Sequence, residues 1–420
     1  MLAAMGIVVT ARAQQPVELL RFPPVVLEEP HPPVQLTLPE AKAMALEHNP
    51  TLALARLNTE EKQHALRAVH SDYLPKVLGS FAYLHYDSPL GSVFTLRNGL
   101  SVPVNLVEQD QTLGTVMGAQ PITALLKVRG LERITAADGE IACLDVVKAR
   151  RAVLGGVEQL YVGIWATHRI RQTLSDALTA AKPFENSKDP DLRAAYWETV
   201  QGMDEAEGQL DQLQSQLNAL LGLPFDSQLI LADLPPCGSP VASARHAVEL
   251  AVTHSPDVCE AVQNLEKAHA ALAIVKTDCL PDVNVFGGYL NQNGIGAIQS
   301  NIGFVGGTAS YTLFDAGKRR HLIRKSETDI AMAQAAIRKA REETAANAHK
   351  AFRNYQQTAR VAHTAGRMLA VRQAIAQKKA ATPAALDAGK DLLNAQVDAI
   401  KAEVAHRIAC GELLNVMGQQ

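Results

Sequence analysis

The sequence predicts an α+β membrane protein built on a duplicated helix-strand-strand-helix repeat. Three observations predict it: a match between the two halves that needs no gap over roughly 40 residues, four short strand segments rich in aromatics and glycine, and two alanine-rich helical segments far longer than a globular core needs. The overall composition narrows the partners. With Lys+Arg at 40 and Asp+Glu at 43, the formal net charge of the 420 residues is -3, too balanced for a chain whose main partner is nucleic acid. A hydrophobic content of 47% excludes wholesale disorder. No stretch approaches the roughly 18 consecutive apolar residues of a transmembrane helix. A transmembrane β-barrel stays open, because its strands are short and alternating.

The elements follow in chain order. Residues 1–13 read as a cleavable signal: an apolar run, then Ala11-Arg12-Ala13. Residues 14–35 form a proline-rich extended segment, and residues 223–240 a second one, a linker carrying Pro224, Pro235, Pro236 and Pro240. Each precedes one repeat, 36–222 and 241–418. Asn49-Pro50 lines up with Ser255-Pro256, and the same offset aligns Asp72-Tyr73-Leu74-Pro75 with Asp278-Cys279-Leu280-Pro281 and Tyr83-Leu84 with Tyr289-Leu290.

Each repeat opens on an alanine-rich helix, expected at 38–72 and 241–278, that stops at Leu-Pro because proline breaks the ladder and extends the residue before it. A strand follows, with Val77, Phe81 and Tyr83 on one face in the first copy and Val283, Val285 and Tyr289 in the second. Loops are expected at 87–114 and 291–300, and returning strands at 115–126 and 301–314. Long helices are expected over 128–181 and 318–379, each of about 80–90 Å. Ile330, Ile337, Thr344 and Ala351 recur every seven residues there, a coiled-coil spacing. Short breaks at 182–190 and 380–383 lead to closing helices at 191–221 and 390–417. The five cysteines form no C-x-x-C pair and read as small buried hydrophobes, with no metal or redox site.

Two separate hairpins cannot bury two faces or hide their edges. Closing them with strands from other copies would leave an apolar, aromatic-flanked outside, as in an outer-membrane barrel. The other reading is a non-transporting coiled-coil scaffold or interaction protein capped by a small sheet. Enzyme signatures such as H-E-x-x-H, the P-loop and the G-x-S-x-G elbow are absent from the sequence, and no cofactor is expected. The bases Lys318, Arg319, Arg320, His321, Arg324 and Lys325 read as a helix start just below the barrel, in reach of lipid head groups.

The chain resembles the TolC-like outer-membrane efflux (channel-tunnel) family. Leu36-Thr-Leu-Pro-Glu-Ala41 with Asn49-Pro50 is similar to the family's opening helix, and Leu74-Pro75, repeated as Leu280-Pro281, to its exit into a strand. Gln120-Pro121 fits its second strand, and Leu313-Phe314-Asp315-Ala316-Gly317-Lys318 its strand-to-helix junction. Leu392-Leu393-Asn394-Ala395-Gln396 and Met417-Gly418 resemble its closing helix. The resemblance covers nearly all of residues 36–418. It implies a homotrimer whose four strands per chain make a 12-stranded barrel in the outer membrane, continued by a long α-helical tunnel in the periplasm. It implies a passive conduit for small molecules such as drugs or metals, served by a periplasmic adaptor and an inner-membrane pump, without catalytic residues. Lys188, Asp189, Asp191, Thr382 and Pro383 are then the helix-tip residues expected to meet the adaptor. Asp387 matches the later of two acids found near the second tip in some members, while Ala384 stands at the earlier position. Three copies of Asp387 would form a carboxylate ring that attracts cations. The other reading of Asp387 is a solvated helix-start acid favoured by the macrodipole.

Overall fold

A computed structural model describes residues 34–234, 241–379 and 385–419, apart from 96, 98 and 297. The expected signal and most of the first proline-rich segment lie outside these residues, as do Thr382, Pro383 and Ala384 at the second tip. The elements are β1 (Val34–Leu36), α1 (Leu38–His48), α2 (Pro50–Ser71), β2 (Lys76–His85), β3 (Leu90–Thr95), β4 (Ser101–Pro121), α3 (Ala124–Ala181), α4 (Pro190–Leu221), β5 (Leu229–Leu231), α5 (Ala244–Thr253), α6 (Pro256–Thr277), β6 (Asp282–Ile295), β7 (Asn301–Ser310), α7 (Lys318–Lys379) and α8 (Ala385–Met417).

The long helices α3 and α7 run 58 and 62 residues. Shorter helices pack beside them in relay. In the half nearer the sheet the neighbours run α2, α3, α6, α7; in the far half they run α4, α3, α8, α7. The main sheet keeps the same sequence, β2-β4-β6-β7, all antiparallel. Each strand of the main sheet adjoins a helix of the upper row in the chain, so sheet and helices form one continuous wall.

Four expectations need correcting. The opening segments are two helices each, broken at Asn49 and Ser255. Asn49 Oδ1 accepts the amides of Thr51 and Leu52 at 2.9 and 3.4 Å, and Ser255 Oγ accepts that of Val258 at 3.3 Å. The prolines that follow sit at the first helical position, where their missing N–H costs nothing. The loop expected at 87–114 is largely strand. β3 pairs antiparallel with the first part of β4, so these polar residues satisfy their backbone in an outlying hairpin, and β4 reaches 21 residues. Helix starts shift as well: α3 begins at Ala124 and α8 at Ala385. Finally, Cys143, Cys259 and Cys279 are free and exposed, and Cys410 is buried and disulfide-bonded, while Cys237 lies outside the described residues. A disulfide belongs to an oxidising compartment.

The core sits at the waist, not at either end. Ala41, Ala45, Val153, Val157, Tyr161, Ile164, Leu210, Leu217 and Leu221 pack with Leu36 of β1 and Leu229 of β5. A second cluster joins Ala247 of α5, Ala351 and Phe352 of α7, and Leu413 and Met417 of α8. The two extended segments meet here as a two-stranded parallel ladder, Val34↔Leu229 to Leu36↔Leu231. The Tyr161 hydroxyl, on a side chain only 1% exposed, lies 3.0 Å from the Leu36 carbonyl and 2.9 Å from that of Ala232, bridging the long helix to both strands. Asn218 Nδ2 donates to the Phe225 and Ser227 carbonyls at 3.0 and 2.8 Å and fixes the start of the linker. Gly222 takes φ +72 at the end of α4, where a Cβ would lie 2.9 Å from that of His48.

Tyr161→Phe removes the donor and keeps the ring. It should cost about 1 kcal/mol and lower the melting temperature of the detergent-solubilised protein. An unchanged melt would show that the bridge is dispensable.

Candidate functional site

The sheet divides into two faces by strand register. One carries Val77, Phe81 and Tyr83 of β2, Val116 of β4, Val283, Val285 and Tyr289 of β6, and Val305 of β7. All are exposed, Phe81 to 75% and Val305 to 85%. Glycines fill the gaps: Gly79, Gly114, Gly118, Gly287, Gly303 and Gly307. This face is apolar enough for hydrocarbon. It holds the residues that the alternation singled out; Phe286 and Phe304 lie on the opposite face.

That opposite face is tightly fitted. Phe286 and Phe304 lie tilted with ring centroids 6.4 Å apart. They sit in spaces that two glycines leave open. A Cβ on Gly306 would meet the Phe286 ring at 3.1 Å, and one on Gly288 would meet Phe304 at 3.0 Å and the Val116 carbonyl oxygen at 2.4 Å. Glycine here is a packing requirement set by backbone approach.

The far end of the sheet is polar. Asp110 accepts from the Tyr83 hydroxyl at 2.6 Å and bonds the His85 ring at 2.8 Å. Gln292 is buried, and its amide nitrogen lies within 3.2 Å of the Ile295, Ile298 and Gln299 carbonyls, tying down the turn between β6 and β7. Its single-letter context offered no sign of this role, since the partners are all backbone.

At the near end the sheet passes into the helices. Leu74 and Leu280 are exposed at the two Leu-Pro junctions. Thr123, unmarked by the sequence pattern, links the β4–α3 junction of the first repeat to the second Leu-Pro junction: its hydroxyl donates to the Pro281 carbonyl at 2.7 Å and accepts the Val283 amide at 3.0 Å. Asp315 caps α7, accepting the amides of Gly317 and Arg319 at 3.0 Å each, and these bonds hold its carboxyl below the ordinary range. Glu132 on α3 is likewise held low by the Tyr73 hydroxyl at 2.7 Å and the His70 ring at 3.0 Å.

At the opposite pole lie the helix tips. Lys188, Asp189 and Asp191 are exposed, and Asp189 caps α4 through a 3.0 Å bond to the Asp191 amide. Asp387 is exposed in the first turn of α8. One turn further, Lys390 pairs with Glu198 of α4 at 2.9 Å and Asp391 pairs with Arg372 of α7, so α8 is tied on both sides. The first tip and the first turns of α8 thus lie at one end of the molecule, with the sheet at the other.

The arrangement is a hydrocarbon-compatible sheet on the end of a long helical wall. Residues 247–416 match the family model described as outer membrane efflux protein. No curated protein matches the sequence. Solved structures match along the whole fold. The outer-membrane channel OprN aligns with TM-score 0.76 at 17% identity, covering 91% of this chain and 90% of that one. CusC aligns with TM-score 0.74 at 16% identity, over 91% and 92%. The open-state MtrE outer membrane channel of Neisseria gonorrhoeae aligns with TM-score 0.73 at 14% identity, over 91% and 88%. Residues 247–416 thus resemble the outer membrane efflux protein family, and the chain shares the fold of these solved channels over 91% of its length. Two of these matched structures are outer-membrane channels.

Gly288→Val should disrupt β4–β6 pairing at a cost of about 1–3 kcal/mol. Gly303→Val, where a Cβ meets nothing within 4 Å, should be tolerated. Heat-modifiable mobility of outer-membrane fractions reads both; equal behaviour of the two variants would contradict the packing argument.

Proposed function

We propose that three copies of this chain form a passive export conduit. Three four-stranded sheets close into a 12-stranded barrel, and three helical walls close into the periplasmic tunnel. The observation that carries this reading is the pair of open edges: β2 and β7 end the sheet with no strand on their outer sides among the described residues, at the end of a wall that runs α2, α3, α6, α7. Unpaired backbone groups cannot stand in hydrocarbon, and closure by symmetry removes every edge at once. The exposed valine-rich face then meets lipid, and the Phe286–Phe304 face lines the bore. The duplicated repeats, 36–222 and 241–418, supply two strands each. A scaffold without a conduit would have no use for the lipid-compatible face.

The conduit carries small toxic molecules, drugs or metals, delivered by an inner-membrane pump through a periplasmic adaptor. It performs no catalysis and needs no cofactor. The adaptor meets the helix tips at Lys188, Asp189, Asp191 and the Thr382-Pro383 turn. Asp387 stands beside that turn, and three copies form a ring of carboxylates at the periplasmic entrance.

Mass photometry of protein extracted in mild detergent should give a trimer; a clean monomer or dimer would contradict closure. In planar bilayers, Asp387→Ala should reduce cation preference and block by multivalent cations. Unchanged selectivity and block in an intact trimer would leave Asp387 only its helix-start role.

A further inference from the structure

The rim where the sheet meets the helices carries an apolar belt above an unpaired band of positive charge. Beyond Ser310, Leu313 and Phe314 stand 91% and 86% exposed. They are held out rather than frayed. Ala316 and Gly317 adopt φ of 54° and 85°, Asp315 caps the helix that follows, and Arg319 folds back to donate to the Thr312 carbonyl at 3.0 Å with its guanidinium 4.8 Å from the Tyr311 ring centroid. Leu74, Ile122 and Leu280 are exposed along the same rim.

Directly below, Lys318, Arg320, Arg324 and Lys325 are all exposed, and none forms an ion pair among the described residues. Their setting sharpens the contrast. Other bases near this rim have acids: Lys76 with Asp72 at 2.9 Å, Lys127 with Asp278 at 2.6 Å, and Arg319 with Asp315 at 3.7 Å. The first turn of α7 holds no acid. Cations there oppose the helix dipole and repel one another within two turns, and the capping Asp315 is already engaged by the Gly317 and Arg319 amides and the Arg319 side chain.

We infer that this band binds the anionic head groups of phospholipids in the periplasmic leaflet, with Leu313 and Phe314 set into the acyl region. The inference rests on the outer-membrane reading. Cations bordering an exposed aromatic and aliphatic belt are the arrangement that a charged lipid surface complements: apolar bodies in the acyl layer, charges at head-group depth. Acids on a second copy could meet the charges, but leave the contiguous Leu313-Phe314 belt unexplained.

The test uses the full chain, extracted in mild detergent and titrated with phosphatidylglycerol or phosphatidylcholine while bound lipid is read by native mass spectrometry. The wild type should prefer phosphatidylglycerol, and salt should weaken that preference. The variant K318Q/R320Q/R324Q/K325Q should lose at least about tenfold in phosphatidylglycerol affinity, with a ceiling of about a thousandfold for four charges. The charge-conserving K318R/R320K/R324K/K325R should retain it. Equal phosphatidylglycerol binding in the neutralised variant overturns the inference. So does loss of subunit assembly with bound lipid per chain unchanged, which assigns the charges to a subunit contact. Absence of the wild type from the outer-membrane fraction would fail the localisation beneath it, a separate result.

Discussion

Everything else in this fold depends on the packing at its waist. Two helices of 58 and 62 residues cannot be held in register by alanine contacts alone. At mid-length the small residues give way to Tyr161, Ile164, Leu217 and Leu221 on one side and Phe352, Leu413 and Met417 on the other. Large apolar area is buried there and scarcely anywhere else. The Tyr161 hydroxyl then joins the long helix to β1 and β5, the two extended segments that precede and follow the first repeat. With the waist fixed, both ends are free of any core. One end can face hydrocarbon and the other can present bare helix tips.

The sheet obeys a different constraint. Its strands have no layer to pack on, so their stability comes from backbone pairing and from the fit of rings into glycine gaps. Phe286 over Gly306 and Phe304 over Gly288 give that fit on one face. The other face gains its free energy only in contact with lipid. The same wall therefore passes from a water-side logic of buried helix seams to a membrane logic within a few residues, at Leu-Pro on the way in and at Asp315-Ala316-Gly317 on the way out. The Thr123 hydroxyl ties the two halves at that passage.

Much of this was legible in the residues. Leu-Pro marked both helix exits because proline ends a ladder from any context. The heptad Ile330, Ile337, Thr344, Ala351 marked the inward side of α7, and all four are buried or half-buried. Alternation placed Val77, Phe81 and Tyr83 on one face. The hairpin of β3 with β4 was not legible, because its Gly, Ser and Asn content is that of a loop and only pairing makes it strand. Asn49 and Ser255 were visible as repeat landmarks, yet the helix breaks they cause depend on cap bonds to specific amides.

The chain's own pattern determined the long helices, the Leu-Pro exits into strands and the apolar face of β2 and β6, since each follows from period and proline within a short window. The tertiary structure alone decided which strands are neighbours, which glycines must stay glycine, and which charges find partners. Lys127 and Lys318 are alike in sequence as bases near a helix start; only the position of Asp278 across the wall neutralises one and leaves the other exposed. Contacts between residues distant in the chain are set by how elements pack, and local sequence carries no record of them.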